Sequence, residues 1–224
     1  MSLIIFDCDG VLVDSEVIAF DVLAQMLAAF GRPMSFAECR RRFMGRRTSE
    51  VLAEIEKDLG HSIPPDLGTR MKAMLFARLR QELQPVAGVK ATLAQLPQPI
   101  CVASSSAPDR IALSLKVTGL APIFGDHVFS AEQVAHGKPA PDLFLFAAKS
   151  MGVPPQDAIV IEDSPAGVTA ARRAGMGIIG FAGASHADGA LAAALREAGA
   201  ESVVTDMADL PAAIDRLRAA RAAA

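Results

Sequence analysis

The chain has 224 residues, of which 51% are hydrophobic, so it can bury one α/β core and still carry a second, smaller domain. Its formal net charge of -3 provides no general attraction to nucleic acid or to an anionic membrane surface. Because no apolar run approaches the roughly 20 residues that cross a bilayer, and the first residues lack a signal-peptide pattern, we expect a cytoplasmic protein that binds neither nucleic acid nor membrane.

The first predicted strand covers residues 3–6 and is followed at once by two aspartates, Asp7 and Asp9. A continuous apolar run is typical of a strand that is buried on both faces, and ligands of α/β sheets bind beyond the carboxyl ends of such strands. Alternate residues of an extended chain point the same way, so the two carboxylates would repel each other unless a cation or a proton lay between them. Gly10 then allows the chain to turn away. The pair indicates a functional site at this edge of the sheet.

Four helices are predicted between the first strand and Pro85, because apolar residues recur there at helical spacing without a strand-like interruption. They cover residues 15–30, 35–44, 49–59 and 65–83. We therefore expect residues 16–83 to form an all-helical insertion.

Five more short apolar strands follow, separated by helical stretches. They are predicted at residues 100–103, 127–129, 159–161, 177–181 and 203–204, and an Ala-rich surface helix is predicted over residues 210–224. Alternating strands and helices favour right-handed βαβ units and a doubly wound parallel sheet. Residues 1–15 and 84–224 would form this α/β core domain, with residues 16–83 inserted into it as a second domain.

A second acidic pair, Glu162 and Asp163, follows the strand at residues 159–161. Carboxylates from two strand ends suit Mg²⁺, which binds oxygen ligands and completes its coordination with water and substrate phosphate. The simpler alternative is that Asp163 or Ser164 only caps the helix that begins near Pro165. The first acidic pair, at the same sheet edge, favours the metal site.

Hydroxyl groups and one lysine complete this edge of the predicted sheet. Ser104 and Ser105 follow the strand at residues 100–103 just before a helix, where free backbone N–H groups attract phosphate, although serines at such a junction are commonly only helix caps. Lys138 lies in a loop with Pro139 and Pro141, which would hold its charge in place. A single loop lysine is usually solvated, and only its combination with the other groups favours a phosphate site.

Together these four motifs, in this order, resemble those of phosphatases of the haloacid dehalogenase superfamily. The matching segments are residues 6–16, 137–142 and 161–167, and the resemblance covers essentially the whole chain. It implies a Rossmann-like α/β core with an inserted helical cap domain. Within the superfamily, the chain is most similar to sugar-phosphate phosphatases of the β-phosphoglucomutase-like branch, including phosphatases of 6-phosphogluconate.

The resemblance implies a mechanism through a phosphoenzyme. Asp7 would be the nucleophile that forms an aspartyl-phosphate. Asp9 would protonate the leaving oxygen and later activate water, which requires the pKa of Asp9 to lie above that of Asp7. Ser104 and Lys138 would bind the transferring phosphoryl group, whose charge must be neutralised.

The resemblance also implies Mg²⁺ as the cofactor. Asp7, Asp163 and the backbone carbonyl of Asp9 would hold the ion, and Glu162 would orient bound water or bind the ion directly. The partner would be a small phosphorylated metabolite, and we expect the protein to be a monomer.

Substrate identity is expected to depend on a basic segment of the helical insertion around Gly45. Its arginines are Arg40, Arg41, Arg42, Arg46 and Arg47. The residues expected to bind substrate are Ser15, Gly45, Arg46, Arg47 and Ser105. Forked pairing of guanidinium with carboxylate favours a phosphorylated sugar acid. An ordinary solvated charged face is an equal alternative.

Related activities are disfavoured by particular residues. In mutases of this branch a histidine and an arginine occupy the positions that correspond to Ala19 and Thr48 here. Dehalogenases lack the second aspartate, which is present as Asp9. A non-catalytic binding protein of the same fold is a further alternative, although every catalytic motif is intact.

The cysteines and histidines are not expected to form a site. Cys8, Cys39 and Cys101 are widely spaced and are predicted to be buried thiols. The histidines show no paired metal-ligand spacing and are predicted to be ordinary surface or strand-end residues. They are His61, His127, His136 and His186.

Overall fold

A computed structural model describes residues 2–60, 62–96 and 99–223. Six parallel strands form one sheet in the order β3-β2-β1-β4-β5-β6. They are β1 (Leu3–Phe6), β2 (Ile100–Ser104), β3 (Val128–Ser130), β4 (Ala158–Glu162), β5 (Gly177–Phe181) and β6 (Ser202–Val204). Each predicted strand is present to within one residue at either end, and the predicted doubly wound parallel sheet is confirmed.

The central strand β1 accounts for the continuous apolar run at the start of the chain. It pairs with β2 on one side and with β4 on the other. Leu3 and Ile5 pack into one apolar cluster, whereas Ile4 and Phe6 pack into a second, so both faces of the strand are covered. The residues that follow β2, β1 and β4 therefore meet at one edge of the sheet.

In the described residues, four helices lie between β1 and Pro85, as the apolar spacing predicted. They are α1 (Glu16–Ala29), α2 (Phe36–Phe43), α3 (Thr48–Leu59) and α4 (Leu67–Glu82). Local signals set their ends. Ser35 caps α2 by accepting a hydrogen bond from the backbone N–H of Glu38 (3.2 Å), and Gly60 ends α3 with a φ of 72°.

The other α-helices of the described residues lie after Pro85. They are α5 (Val89–Leu93), α6 (Pro108–Val117), α7 (Ala121–Phe124), α8 (Asp142–Ser150), α9 (Pro165–Arg173), α10 (Leu191–Ala198) and α11 (Leu210–Ala222). The predicted end of the last helix, Ala224, lies outside the described residues. Across the residues that the structure describes, no helix is long and apolar enough to cross a membrane.

The helical insertion shares an apolar cluster with the core. Helix α1 contacts α2 and α4, and α4 contacts α6. One apolar cluster joins Phe20 of α1 and Leu79 of α4 to Phe6 of β1.

The three cysteines are buried and free, as predicted.

Candidate active site

The sheet edge gathers the acidic residues of both predicted pairs. Asp7 follows β1, whereas Glu162 ends β4 and Asp163 comes directly after it. One carboxylate oxygen from each of these three residues lies within 4.8 Å of the others, and all three residues are buried. We call this group the acid cluster. Neighbouring parallel strands thus place oxygen ligands from distant parts of the chain at one point.

One ammonium group contacts the acid cluster. Lys138 is 1% exposed, and its Nζ donates to Asp7 Oδ1 (2.5 Å), Glu162 Oε2 (2.8 Å) and the backbone carbonyl of Ala103 (3.2 Å). The loop lysine predicted to bind phosphate is therefore drawn into the site by two carboxylates rather than solvated.

The acid cluster is short of positive charge. Burial, reinforced by Glu162 and Asp163, raises the pKa of Asp7 well above its ordinary value despite Lys138. Burial and Glu162 likewise raise the pKa of Asp163. Asp163 Oδ2 is buried and accepts no hydrogen bond, although His186 Nε2 lies 3.1 Å from it. Three carboxylates beside one ammonium form an arrangement that a divalent cation with oxygen ligands fits.

Glu162 is fixed by the start of α9. Its Oε1 accepts hydrogen bonds from the backbone N–H (3.0 Å) and the hydroxyl (2.7 Å) of Ser164. Ser164 also accepts a hydrogen bond from the backbone N–H of Gly167 (3.0 Å) and so caps the helix. The helix cap that was the simpler alternative to a metal site is therefore present at Ser164. It coexists with the acid cluster.

Asp9 lies in a separate environment, which we call the Asp9 pocket. Its carboxylate accepts hydrogen bonds from Ser15 (2.5 Å), Ser106 (2.7 Å), Ser104 (3.3 Å) and Arg110 Nη2 (2.6 Å). The side chain of Asp9 therefore lies outside the acid cluster, and only its backbone carbonyl is left for the metal role predicted for it.

The predicted order of the two aspartate pKa values is wrong for this structure. Burial by itself raises the pKa of the Asp9 carboxyl, but the charge of Arg110 and the hydrogen bonds from Ser15 and Ser106 bring the pKa below its ordinary value. The pKa of Asp7 is raised instead. The expectation failed because no sequence signal placed a guanidinium beside Asp9.

A cavity connects the sheet edge to the helical insertion. Its polar base includes Asp7, Asp9, Ser104, Ser105 and Asp163. Its apolar wall is formed by Phe20, Val22, Leu23, Phe43, Val51, Met71 and Leu75. The hydroxyl of Ser105 donates to the carbonyl of Gly45 (2.8 Å), which joins the loop after α2 to the core across this cavity. Both of these residues were expected near substrate, and both line the cavity.

The remaining residues expected to bind substrate are placed differently. Ser15 is fully buried and holds Asp9 instead of lining the cavity. Arg46 lines the cavity and forms ion pairs with Glu50 and Glu54. Arg47 lies outside the cavity wall.

Arg47 is directed to the loop that precedes Lys138. Its guanidinium donates to the carbonyls of Ala131 and Val134 (3.2 Å for the latter). The expectation that it binds substrate directly is therefore not supported by its position, because its two terminal nitrogens donate to backbone carbonyls of the core. Other arginines of the basic segment are paired as well: Arg42 with Glu54 and Asp58, and Arg40 with Asp188.

Three residues of the site were missed by the sequence analysis. Arg110 and Glu16 line the cavity, and burial raises the pKa of Glu16 to about 8. Both lie in the first turn of a helix, where charged residues are common and give no signal of a site. His186 Nε2 lies 3.1 Å from Asp163 Oδ2.

The prediction that His186 is a surface or strand-end residue is wrong, because its side chain is 1% exposed. His127 and His136 are exposed, as predicted. His61 lies outside the described residues.

Known proteins resemble this chain over most of its length. Residues 1–175 match the haloacid dehalogenase-like hydrolase family. The chain is 31% identical over 184 residues to a 6-phosphogluconate phosphatase of Escherichia coli strain K12, which covers 82% of this chain and 83% of the relative. It is 32% identical over 211 residues to a phosphorylated carbohydrates phosphatase of Thermotoga maritima, which covers 91% of this chain and 94% of the relative.

A solved structure matches the whole fold. It is a conserved haloacid dehalogenase-like protein of unknown function from Agrobacterium tumefaciens str. C58, with a TM-score of 0.84 and 40% identity, and the match covers 97% of this chain and 99% of that chain. The prediction of an enzyme is confirmed, and the relatives named as phosphatases agree with the prediction of a phosphatase. The chain belongs to the haloacid dehalogenase-like hydrolase family.

Proposed function

We propose that this enzyme hydrolyses the phosphate ester of a small phosphorylated sugar or sugar acid, with Mg²⁺ as cofactor and an aspartyl-phosphate as intermediate. The observation that carries the proposal is the position of Asp7. Its buried carboxylate lines the cavity, accepts a hydrogen bond from Lys138 and belongs to the acid cluster. In this proposal, Asp7 would be the nucleophile, Lys138 would bind the phosphate and the acid cluster would hold the metal, all at one point.

The chain's own groups account for both half-reactions. Asp7 would attack phosphorus while the bond to the sugar oxygen breaks, and Lys138 and Ser104 would neutralise and orient the phosphoryl oxygens. Asp9 would give a proton to the leaving oxygen and then take one from the water that hydrolyses the aspartyl-phosphate. For this, the Asp9 carboxylate must first take up a proton and exchange some of its present hydrogen-bond partners, Arg110 among them, for the leaving group.

The acid cluster is the proposed Mg²⁺ site. Its carboxylates are the oxygen ligands that this ion prefers, and Asp163 Oδ2, which accepts no hydrogen bond, is available to it. Asp7, Asp163 and the backbone carbonyl of Asp9 would hold the ion, while Glu162 orients Lys138 and bound water. When bound, Mg²⁺ supplies positive charge that stabilises the transferring phosphoryl group.

We also propose that residues 16–83 act as a cap domain over a core domain of residues 1–15 and 84–224. Helices α1, α3 and α4 and the loop at Gly45 contribute to the cavity wall above the polar base, which suits a small metabolite. Two of the relatives act, by their names, on 6-phosphogluconate and on phosphorylated carbohydrates. We further propose that the protein is a monomer and is located in the cytoplasm.

The cavity wall favours hydrolysis over phosphosugar isomerisation. Ala19 and Thr48, the positions that carry a histidine and an arginine in mutases of the resembled branch, both line the cavity. Neither side chain can act as a base or supply a positive charge at the substrate.

The experiment that tests the proposal measures inorganic phosphate released from p-nitrophenyl phosphate and from a panel of sugar phosphates. We expect release with Mg²⁺, none with EDTA, and inhibition by Ca²⁺, which takes more ligands in a looser geometry. A mutase would isomerise a sugar phosphate without net release, and a binding protein would leave it unchanged. Full activity in EDTA would contradict the metal assignment.

A further inference from the structure

Two arginines line the cavity among the described residues, and they differ in how far their charge is already paired. Arg46 forms ion pairs with two carboxylates, Glu50 (3.7 Å) and Glu54. Arg110 forms one, from Nη2 to Asp9 Oδ1 (2.6 Å), and its Nε is buried without a hydrogen-bond partner. Arg110 therefore keeps donors for a further anion.

Arg110 is held at the base of the cavity. It lies in the first turn of α6, close to the serines that follow β2, and its side chain is 15% exposed. A guanidinium that is largely removed from water needs anionic or polar partners. If Asp9 moved to the leaving oxygen, Arg110 would lose its one carboxylate partner.

Asp9, in contrast, can release Arg110 and still keep hydrogen-bond donors. The hydroxyls of Ser15 (2.5 Å), Ser106 (2.7 Å) and Ser104 (3.3 Å) also face its carboxylate. Hydrogen bonds from these hydroxyls can replace part of the lost interaction. A substrate whose own anionic group binds Arg110 would therefore replace Asp9 as its partner, while the serine hydroxyls keep Asp9 hydrogen-bonded.

This inference rests on the proposed function and names the substrate class of the same site. We propose that Arg110 binds the carboxylate of a phosphorylated sugar acid and thereby frees Asp9 to reach the leaving oxygen. The guanidinium fork can donate two parallel hydrogen bonds to a carboxylate. A neutral sugar phosphate lacks this group, so Arg110 stays paired with Asp9. Arg110 is thus a residue that determines specificity and positions Asp9.

The test uses two substrates that differ at the carboxylate, 6-phosphogluconate and sorbitol 6-phosphate, together with p-nitrophenyl phosphate. We expect Arg110→Met to lower kcat/KM for the acid by roughly ten- to more than a hundredfold, mainly through KM. The alditol brings no carboxylate to Arg110, so its kcat/KM should fall by a much smaller factor in the same variant. Arg110→Lys keeps the charge without the fork, so its loss is intermediate.

Arg78→Met is the matched control, because Arg78 pairs with Asp21 and Glu82 away from the cavity. It should leave the preference for the acid unchanged.

A second readout does not depend on turnover: in the Asp7→Asn background, calorimetry should show that Arg110→Met weakens binding of 6-phosphogluconate at least about tenfold but not binding of sorbitol 6-phosphate. If Arg110→Met does not fold, Arg110→Lys decides by the same comparison.

The outcomes separate this inference from the proposed function. A native enzyme that shows no preference for the acid, or an Arg110 variant that loses activity equally on all three substrates, overturns the role of Arg110 while hydrolysis stands. A native enzyme that releases phosphate from none of the three overturns the proposed function itself.

Discussion

The acid cluster and the Asp9 pocket are anchored by carboxylates only two residues apart, yet their electrostatic environments are opposite. Asp7 shares its surroundings with Glu162 and Asp163 and has one ammonium partner, so its pKa is raised. Asp9 faces a guanidinium and hydroxyl donors, so its pKa is lowered. Alternate residues of a regular strand would point the same way, but β1 ends at Phe6 and the chain bends at Cys8, so the two carboxylates reach different sites.

This contrast indicates what the acid cluster and the Asp9 pocket, the two halves of the site, each need to become functional. The acid cluster lacks positive charge, and a bound cation would supply it. Lys138 could then bind a phosphoryl group beside that cation. The Asp9 pocket is already satisfied, so it becomes functional only when a partner is exchanged. Substitutions in the acid cluster and in the Asp9 pocket should therefore have different effects.

The largest effect is expected for Asp7→Asn. An amide cannot form the aspartyl-phosphate, so turnover should fall by roughly four decades or more on every substrate. The fold should persist, because the substitution removes one charge from a cluster that has too many carboxylates. Phosphate release and circular dichroism check the two statements, and hydrolysis near the native rate would exclude Asp7 as the nucleophile.

Asp9→Ala should have a smaller and substrate-dependent effect. Loss of a general acid and base lowers turnover by roughly two to four decades for a sugar phosphate, whose leaving oxygen needs a proton. p-Nitrophenyl phosphate should lose less, because its phenolate leaves without one. Kinetics on both substrates provide the measurement, and equal losses would assign Asp9 to the metal half of the site.

Glu16 allows the cavity to be tested by pH. Burial raises the pKa of Glu16 from 4.5 to about 8, so the folded state binds this proton more tightly than the unfolded chain does. Its contribution to stability therefore decreases as pH rises from about 4.5 to about 8. Glu16→Gln mimics the neutral form and should be more stable than the native protein by up to about 5 kcal/mol near pH 9, with the gain vanishing near pH 4.

Urea unfolding of the native protein and Glu16→Gln across this range measures the difference. The exposed Glu132 provides the control, because Glu132→Gln should not produce such a pH-dependent gain. A stability difference that is constant with pH would show that Glu16 is not buried as a neutral acid.

Mg²⁺ should stabilise the folded protein through the acid cluster. An ion that binds only the native state raises the free energy of unfolding by about 2.7 kcal/mol at a concentration of one hundred times its Kd. Thermal unfolding should show a higher Tm with Mg²⁺ for the native protein and for Arg110→Met, and a much smaller rise for Asp163→Asn. An equal rise in all three would place the ion elsewhere.

The sequence predicted the fold and the acidic edge because both depend on local patterns. Buried apolar runs such as residues 3–6 and 177–181 became strands, and carboxylates at the ends of neighbouring strands converge in any parallel sheet. The partners of those carboxylates could not be predicted in the same way. Arg110, Glu16 and His186 reach the site through the packing of helices and a loop, and nothing in their local sequence distinguishes them from surface residues.

Arg47 illustrates the same limit within the basic segment. A run of arginines predicts positive charge but not its direction, since each long side chain can reach partners on several sides. In the folded chain Arg46 lines the cavity, whereas Arg47 turns to carbonyls of the core.

The smallest effect is expected for Arg47→Met, and it concerns the acid-cluster half of the site. Arg47 donates to the carbonyls of Ala131 and Val134, in the segment that leads to Lys138. Losing these partly exposed hydrogen bonds should cost about 1 kcal/mol, so kcat/KM should fall roughly fivefold. Because the loop holds Lys138, the proposed phosphoryl-binding group, 6-phosphogluconate, sorbitol 6-phosphate and p-nitrophenyl phosphate should all lose by the same factor. Steady-state kinetics on the three substrates measure this, and a loss confined to the sugar acid would instead make Arg47 a carboxylate-binding residue, as the sequence first suggested.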